Sequence, residues 1–295
     1  MTSKNFIHLI NSAVRTAAFF ALIWILAFNA NLARAYCRLT TDSDNSGECV
    51  STGIPLYWKC GNISYAVCPR EIEDPPFELV IDAVEDSFES WAKVRCDGER
   101  LGFEFLRDAN PEGCDRHWLL RDDPNTDFSR YENLIVFVSD WEDFDYEERA
   151  FALTSVWHDT ETGEIVGADI ELNETIGEFG VCGVSPKRCR DVADIQNVVT
   201  HEIGHMLGLG HTGEESAVMY PDSVLGDIKK RTLKSDDIAG ICSIYSDDPV
   251  TYCSEYSKTR ANCSVSGLGS MDKSAIYYLF LSPLMLFLFI YRRFV

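Results

Sequence analysis

Three histidines and one glutamate in the stretch His201-Glu202-Ile203-Gly204-His205-Met206-Leu207-Gly208-Leu209-Gly210-His211 have the types and spacing to hold a metal ion and to move a proton beside it. On a helix, residues four apart lie one turn apart on one face, so His201 and His205 aim two imidazoles at one point. At about 100° per residue, Val192, Ile195, Val199, Ile203 and Met206 gather on one side of that helix, with both histidines nearly opposite. One face packs and the other opens on a cleft. Gly208 stands where a helix can end through a residue at positive φ, and the turned chain can then return His211 as a third ligand. Three nitrogens leave one coordination position of zinc open. A water held there is the nucleophile of zinc hydrolases, and Glu202 is placed to take its proton.

The elements around this helix are legible from hydrophobic spacing. Residues 36–53 are polar and loop-like, and strand character begins at Leu56, Tyr57 and Trp58 and continues from Ile63 to Val67. Pro75 and Pro76 introduce a helix over Phe77 to Val94, on which Val80, Val84, Phe88 and Trp91 recur at helical spacing. Leu101, Phe103 and Phe105 alternate as on a half-buried strand, and Leu134 to Val138 is an unbroken apolar run suited to a central strand. Thr154 to Trp157 and Ile165 to Leu172 flank a turn at residues 159–163. Ser235 is an N-cap candidate for a last helix ending near Tyr245. The expected fold class is α+β.

The motif matches H-E-x-x-H-x-x-G-x-x-H in full, and Met219-Tyr220-Pro221 follows eight residues after His211. This pair of signals resembles the metzincin metalloproteases, and the M-x-P form with Thr212 after the third histidine resembles the matrixin family. The resemblance covers residues 54–246 and is most specific over 191–221. It implies a twisted mixed sheet with an active-site helix and a small C-terminal subdomain. It also implies a catalytic zinc on His201, His205 and His211, Glu202 as general base, and Met219 packed beneath the metal. It further implies that Tyr220 and Pro221 wall the pocket for the residue after the cut. Residues 165–173, with Gly167, Ala168, Asp169 and Ile170, resemble the edge strand along which matrixins lay a peptide substrate. Two family features are missing: there is no P-R-C-G-x-P-D prodomain motif, and only His117 and His158 stand outside the zinc motif in the mature portion. Those two histidines are too few for the second, structural zinc of many animal members, an absence that points to the simpler bacterial matrixin-like forms. Cys37 is weighed as a stand-in for the prodomain cysteine, with a structural disulfide preferred.

Composition bounds the partners. Of 295 residues, 1–35 have the pattern of a signal peptide: Lys4 and Arg15 before an apolar run, then Ala33-Arg34-Ala35 for cleavage. Residues 247–274 read as a stalk, and 275–291 as a transmembrane helix or sorting segment before a basic tail at 292–295. All 47 acids lie between the apolar ends, so residues 36–274 carry about −26, which argues against nucleic acid. Solvated faces account for most of the acids. Asp42-x-Asp44-x-Ser46-Gly47 begins like a calcium loop but has Gly53 at its twelfth position, so Ca2+ is a secondary candidate. Eleven cysteines behind a signal peptide imply an oxidising compartment and several disulfides, with Cys182 and Cys189 able to close a small loop and one thiol left over. Asn62, Asn173 and Asn262 sit in glycosylation sequons. The expected activity is a secreted or surface-anchored zinc endopeptidase acting on proteins or peptides. The alternative is a silent adhesion protein on the same fold, against which stands the intact Glu202.

Overall fold

The computed structural model describes residues 35–253 with breaks at 45, 70–74, 112, 115–132, 144–145, 184–188, 248–249 and 251. The expected signal peptide and the apolar segment 275–291 lie outside the described residues. Among the described residues no helix is long and apolar enough to cross a membrane.

One five-stranded sheet backs the site: β1 (Asn62–Val67), β2 (Glu104–Asp108), β3 (Leu134–Val138), β4 (Ala152–His158) and β5 (Ile165–Asn173). Their order is β2-β1-β3-β5-β4. The first four in that order pair in parallel, and β4 is antiparallel to β5. Leu134–Val138 is the middle strand, as its apolar run predicts. Residues 165–173 are not the edge strand expected from the family resemblance. Ile170 to Asn173 pair with β3 and Ile165 to Leu172 pair with β4, so the strand that carries Gly167, Ala168, Asp169 and Ile170 is second from the edge, with β4 outside it. The outermost strand beside the site is β4. The polar residues of β5 are buried and satisfied: Asp169 accepts from Leu134 N at 2.8 Å, and Glu171 accepts from Tyr146 Oη at 3.0 Å.

Helix α1 (Phe77–Ala92) follows Pro76 and turns Val80, Val84, Phe88 and Trp91 to the core. Helix α2 (Ile195–Met206) carries the motif. The two helices are tied by polar contacts as well as by packing: Trp91 Nε1 donates to Thr200 O at 2.9 Å, and Ser87 Oγ to Gln196 O at 3.3 Å. Helix α3 (Ser235–Tyr245) closes the fold. Leu56 to Trp58, read as a strand from sequence, forms only an isolated bridge from Tyr57 to Glu164.

Among the described residues, five disulfides join Cys37–Cys49, Cys60–Cys253, Cys68–Cys114, Cys96–Cys242 and Cys182–Cys189. Cys37 is therefore committed to a structural bond, and Cys263 lies outside the described residues. Cys253, within the segment read as a stalk, is fastened to the start of β1. Its N–H donates to Asn62 Oδ1 at 2.9 Å, and Asn62 Nδ2 donates to Cys253 O at 3.3 Å. Asn62 and Asn173 are buried with their amides engaged, which removes both as glycosylation acceptors in the folded chain.

The end of α2 is sealed from two distant places. An α-helix leaves its last carbonyls without intrahelical donors. Trp58 Nε1 donates to Met206 O at 2.7 Å and Tyr245 Oη to Leu207 O at 2.9 Å, while Tyr245 Oη accepts from Trp58 N at 3.1 Å. Tyr245→Phe keeps the ring and strands two buried backbone groups, so thermal or urea unfolding should show a loss of about 1–3 kcal/mol.

Candidate active site and metal centre

Asp194 starts α2 as its N-cap, accepting from Asn197 N at 2.8 Å, and is itself held by Arg231 Nε at 2.7 Å. Two turns on, the helix presents His201 and His205 from one face. It ends at Gly208, whose φ of +96° and close approach to Leu56 O leave no place for a Cβ. The turn delivers His211. Its Nε2 lies 3.2 Å from His201 Nε2 and 3.2 Å from His205 Nε2. Tetrahedral ligation at about 2.0–2.1 Å needs ligand nitrogens roughly 3.3 Å apart, so the set fits zinc. Among the described residues these three form the single group of three or more histidine, cysteine or acidic side chains close enough to share an ion.

Backbone carbonyls fix the tautomers. His201 Nδ1 donates to Val218 O at 2.6 Å and His205 Nδ1 to Leu209 O at 2.8 Å, which leaves both Nε2 lone pairs for a metal. Burial holds His201 well below the usual imidazole range, with Lys230 adding to it. Burial and His211 bring His205 down to about 3, and burial and Lys230 bring His211 to about 4. The imidazoles are neutral at physiological pH, as ligands must be. Burial raises the Glu202 carboxyl to about 7, against the pull of a Thr154 hydrogen bond and of Lys230.

Met219 packs against the motif helix at Gly204. A Cβ on Gly204 would fall 2.1 Å from Met219 Sδ, so the helix and the Met-turn meet in direct contact. Asp237 pins the turn by accepting from Val218 N at 2.9 Å and Met219 N at 3.0 Å. Tyr220 is half-buried and Pro221 exposed. Asp44 accepts from Ser46 N at 3.0 Å, a local turn within the stretch read as a calcium-loop start.

Sequence reasoning missed several residues here. Lys230 is 6% exposed; its Nζ donates to Tyr220 O and stands 3.4 Å from His201 Nδ1. Thr154, noted only as a strand residue, hydrogen-bonds to Glu202. Gly47, inside the loop closed by Cys37–Cys49, accepts from His211 N at 2.6 Å, and a Cβ there would touch His205 and His211 Cε1. Nothing local in sequence marks them, apart from a glycine where the acids of 42–48 would suit a solvated loop.

The matrixin family profile matches residues 57–246, more than half of the chain, and the chain belongs to that family. Metalloendoproteinase 1-MMP of Arabidopsis thaliana is 40% identical over 89 residues, which covers 30% of this chain and 22% of that protein. Metalloendoproteinase 1 of Glycine max is 46% identical over 56 residues, covering 19% and 18%, and human matrilysin 50% identical over 46 residues, covering 16% and 17%. The chain thus aligns with less than a quarter of each of these relatives, which come from plants and a mammal. The matrixin family is zinc-dependent, in accord with the histidine geometry.

Gly204→Ala should push the helix off Met219, costing about 1–3 kcal/mol of stability. Competition with a chromogenic chelator should show weaker zinc retention than in the native protein.

Proposed function

We propose that the protein is a zinc endopeptidase. The observation that carries the reading is a buried carboxylate, Glu202, next in the chain to a trio of neutral imidazoles spaced for zinc. His201, His205 and His211 would hold the zinc, which would supply a bound water of lowered pKa and Lewis acidity toward the scissile carbonyl. Glu202 accepts the proton as the water oxygen bonds to the carbonyl carbon. It then returns the proton to the amine nitrogen as the C–N bond breaks. The position of β4 at the outside of the sheet, against the motif helix, supports an extended peptide lying alongside it. Tyr220 and Pro221 would border the residue after the cut.

Glu202→Ala should bind zinc at one equivalent yet cleave casein or mixed peptides about 10²- to 10⁴-fold more slowly. A chelator should abolish cleavage, and added zinc should restore it. Full cleavage by Glu202→Ala, or cleavage indifferent to the chelator, would overturn the reading.

In this proposal the enzyme works outside the cytosol, a reading that the disulfides support, with export through residues 1–35 and anchoring through 275–291, supported by their apolar sequence. Expressed in a secreting host, the full chain should sediment with membranes, and a chain ending at residue 274 should appear in the medium.

A further inference from the structure

Glu202 has one hydrogen-bonding side-chain partner among the described residues, and it comes from the sheet rather than from its own helix. Thr154 Oγ1, on β4, lies 2.7 Å from Glu202 Oε2 and 3.2 Å from Glu202 O. Both residues are buried, at 7% and 5% exposure. A hydroxyl has one proton and so donates to one of these acceptors at a time. With Glu202 ionised, the shorter contact takes the proton, and Oε2 is occupied. When Glu202 carries the proton taken from water on Oε1, Oε2 still accepts from the hydroxyl and the backbone carbonyl stays within reach as a second acceptor, so no buried donor is orphaned. Valine has the same shape and neither option.

We propose that Thr154 is a positioning residue for the general base: its hydroxyl holds the Glu202 carboxylate by Oε2, so that Oε1 is the oxygen that takes and returns the proton. This rests on the reading of Glu202 as general base. It also gives β4 a second role, since the strand beside which substrate would lie then fixes the base that acts on it. A buried carboxylate with no donor is free to turn among rotamers, and a misdirected base slows proton transfer without weakening substrate binding.

The test uses purified full-length protein with Thr154→Val, Thr154→Ala and Thr154→Ser, each alone and with Glu202→Gln, measured for kcat, KM, bound zinc and thermal melting. Outer hydrogen-bond partners of this kind are worth about ten- to a hundred-fold in activity. Thr154→Val should lower kcat by that factor with KM and zinc content unchanged. Thr154→Ser should recover activity over Thr154→Ala, although both lose the methyl. On Glu202→Gln, Thr154→Val should cost nothing further, because the group it positions is gone. A native kcat in Thr154→Val overturns the proposal, as does equal impairment of the Ser and Ala variants, which would assign the effect to the methyl. Should the valine protein not fold, the Ser and Ala pair decides alone. Glu202→Gln with native activity would overturn the general-base reading itself and is read separately from the Thr154 series.

Discussion

A metal-binding imidazole must offer an unprotonated nitrogen, and the structure around this site is arranged to meet that demand three times within a few ångströms. A histidine in water near neutral pH is divided between its charged and neutral forms. Here burial removes the charged form, and carbonyls of Val218 and Leu209 hold the remaining proton on Nδ1 of His201 and His205. The Val218 carbonyl lies in a turn and the Leu209 carbonyl on a two-residue strand just after the helix, so both segments must be as well fixed as the helix. Asp237 grips the amides of Val218 and Met219, and Tyr245 grips the carbonyl of Leu207. Both anchors belong to the last helix. The metal centre therefore depends on α3 as much as on the helix that carries the motif.

The same desolvation acts on Glu202 in the opposite chemical sense. A carboxylate moved out of water resists ionising, and a base has to be ionised before it can accept a proton. Two groups offset this. The Thr154 hydroxyl bonds one oxygen, and the Lys230 ammonium, itself pulled down to about 8 by burial, contributes its field from behind His201. Lys230 also pushes the histidines toward neutrality. One buried cation thus favours both the protonation states that the proposed chemistry needs.

The helical part of the site was legible because its information is local. Residue types at a period of 3.6, a glycine at the helix end and a methionine a few residues on are all adjacent in the chain. The sheet was legible strand by strand, though its order was less so. Residues 152–158 and 165–173 form one hairpin, and which of the two ends up outside is decided by pairing with β3, far away in sequence. Asp169 and Glu171 give the second strand the alternation of a solvated face, and only long-range donors such as Leu134 N and Tyr146 Oη make those acids burial-compatible. Thr154 and Lys230 were invisible for the same reason. A threonine in a strand and a lysine in a basic stretch carry no mark of the partner they will meet. The disulfide pattern follows suit: Cys182–Cys189 could be anticipated from a short spacing, whereas Cys60–Cys253 spans 193 residues.

Those long bonds bear on how the site is assembled. The contacts that complete it run between residues near 36–58 and residues 207–245: Cys37 pairs with Gly210 across a two-stranded ladder, Trp58 caps α2, and Tyr36 N donates to Asp236 Oδ1 at 3.2 Å. Closing such distances costs chain entropy that rises with the logarithm of the loop length. In the chain-entropy account, a disulfide across a loop of 100 residues or more offsets that cost by about 5 kcal/mol. Cys60–Cys253 and Cys96–Cys242, separated by 193 and 146 residues, tie the last helix and the residues just after it to the first half of the chain. The motif helix can form from local information, but His211 reaches its place only when the turn after Gly208 is clamped between the first and last elements. Zinc affinity and global folding should therefore be coupled in this protein, with the disulfides acting on the metal through the geometry of its third ligand.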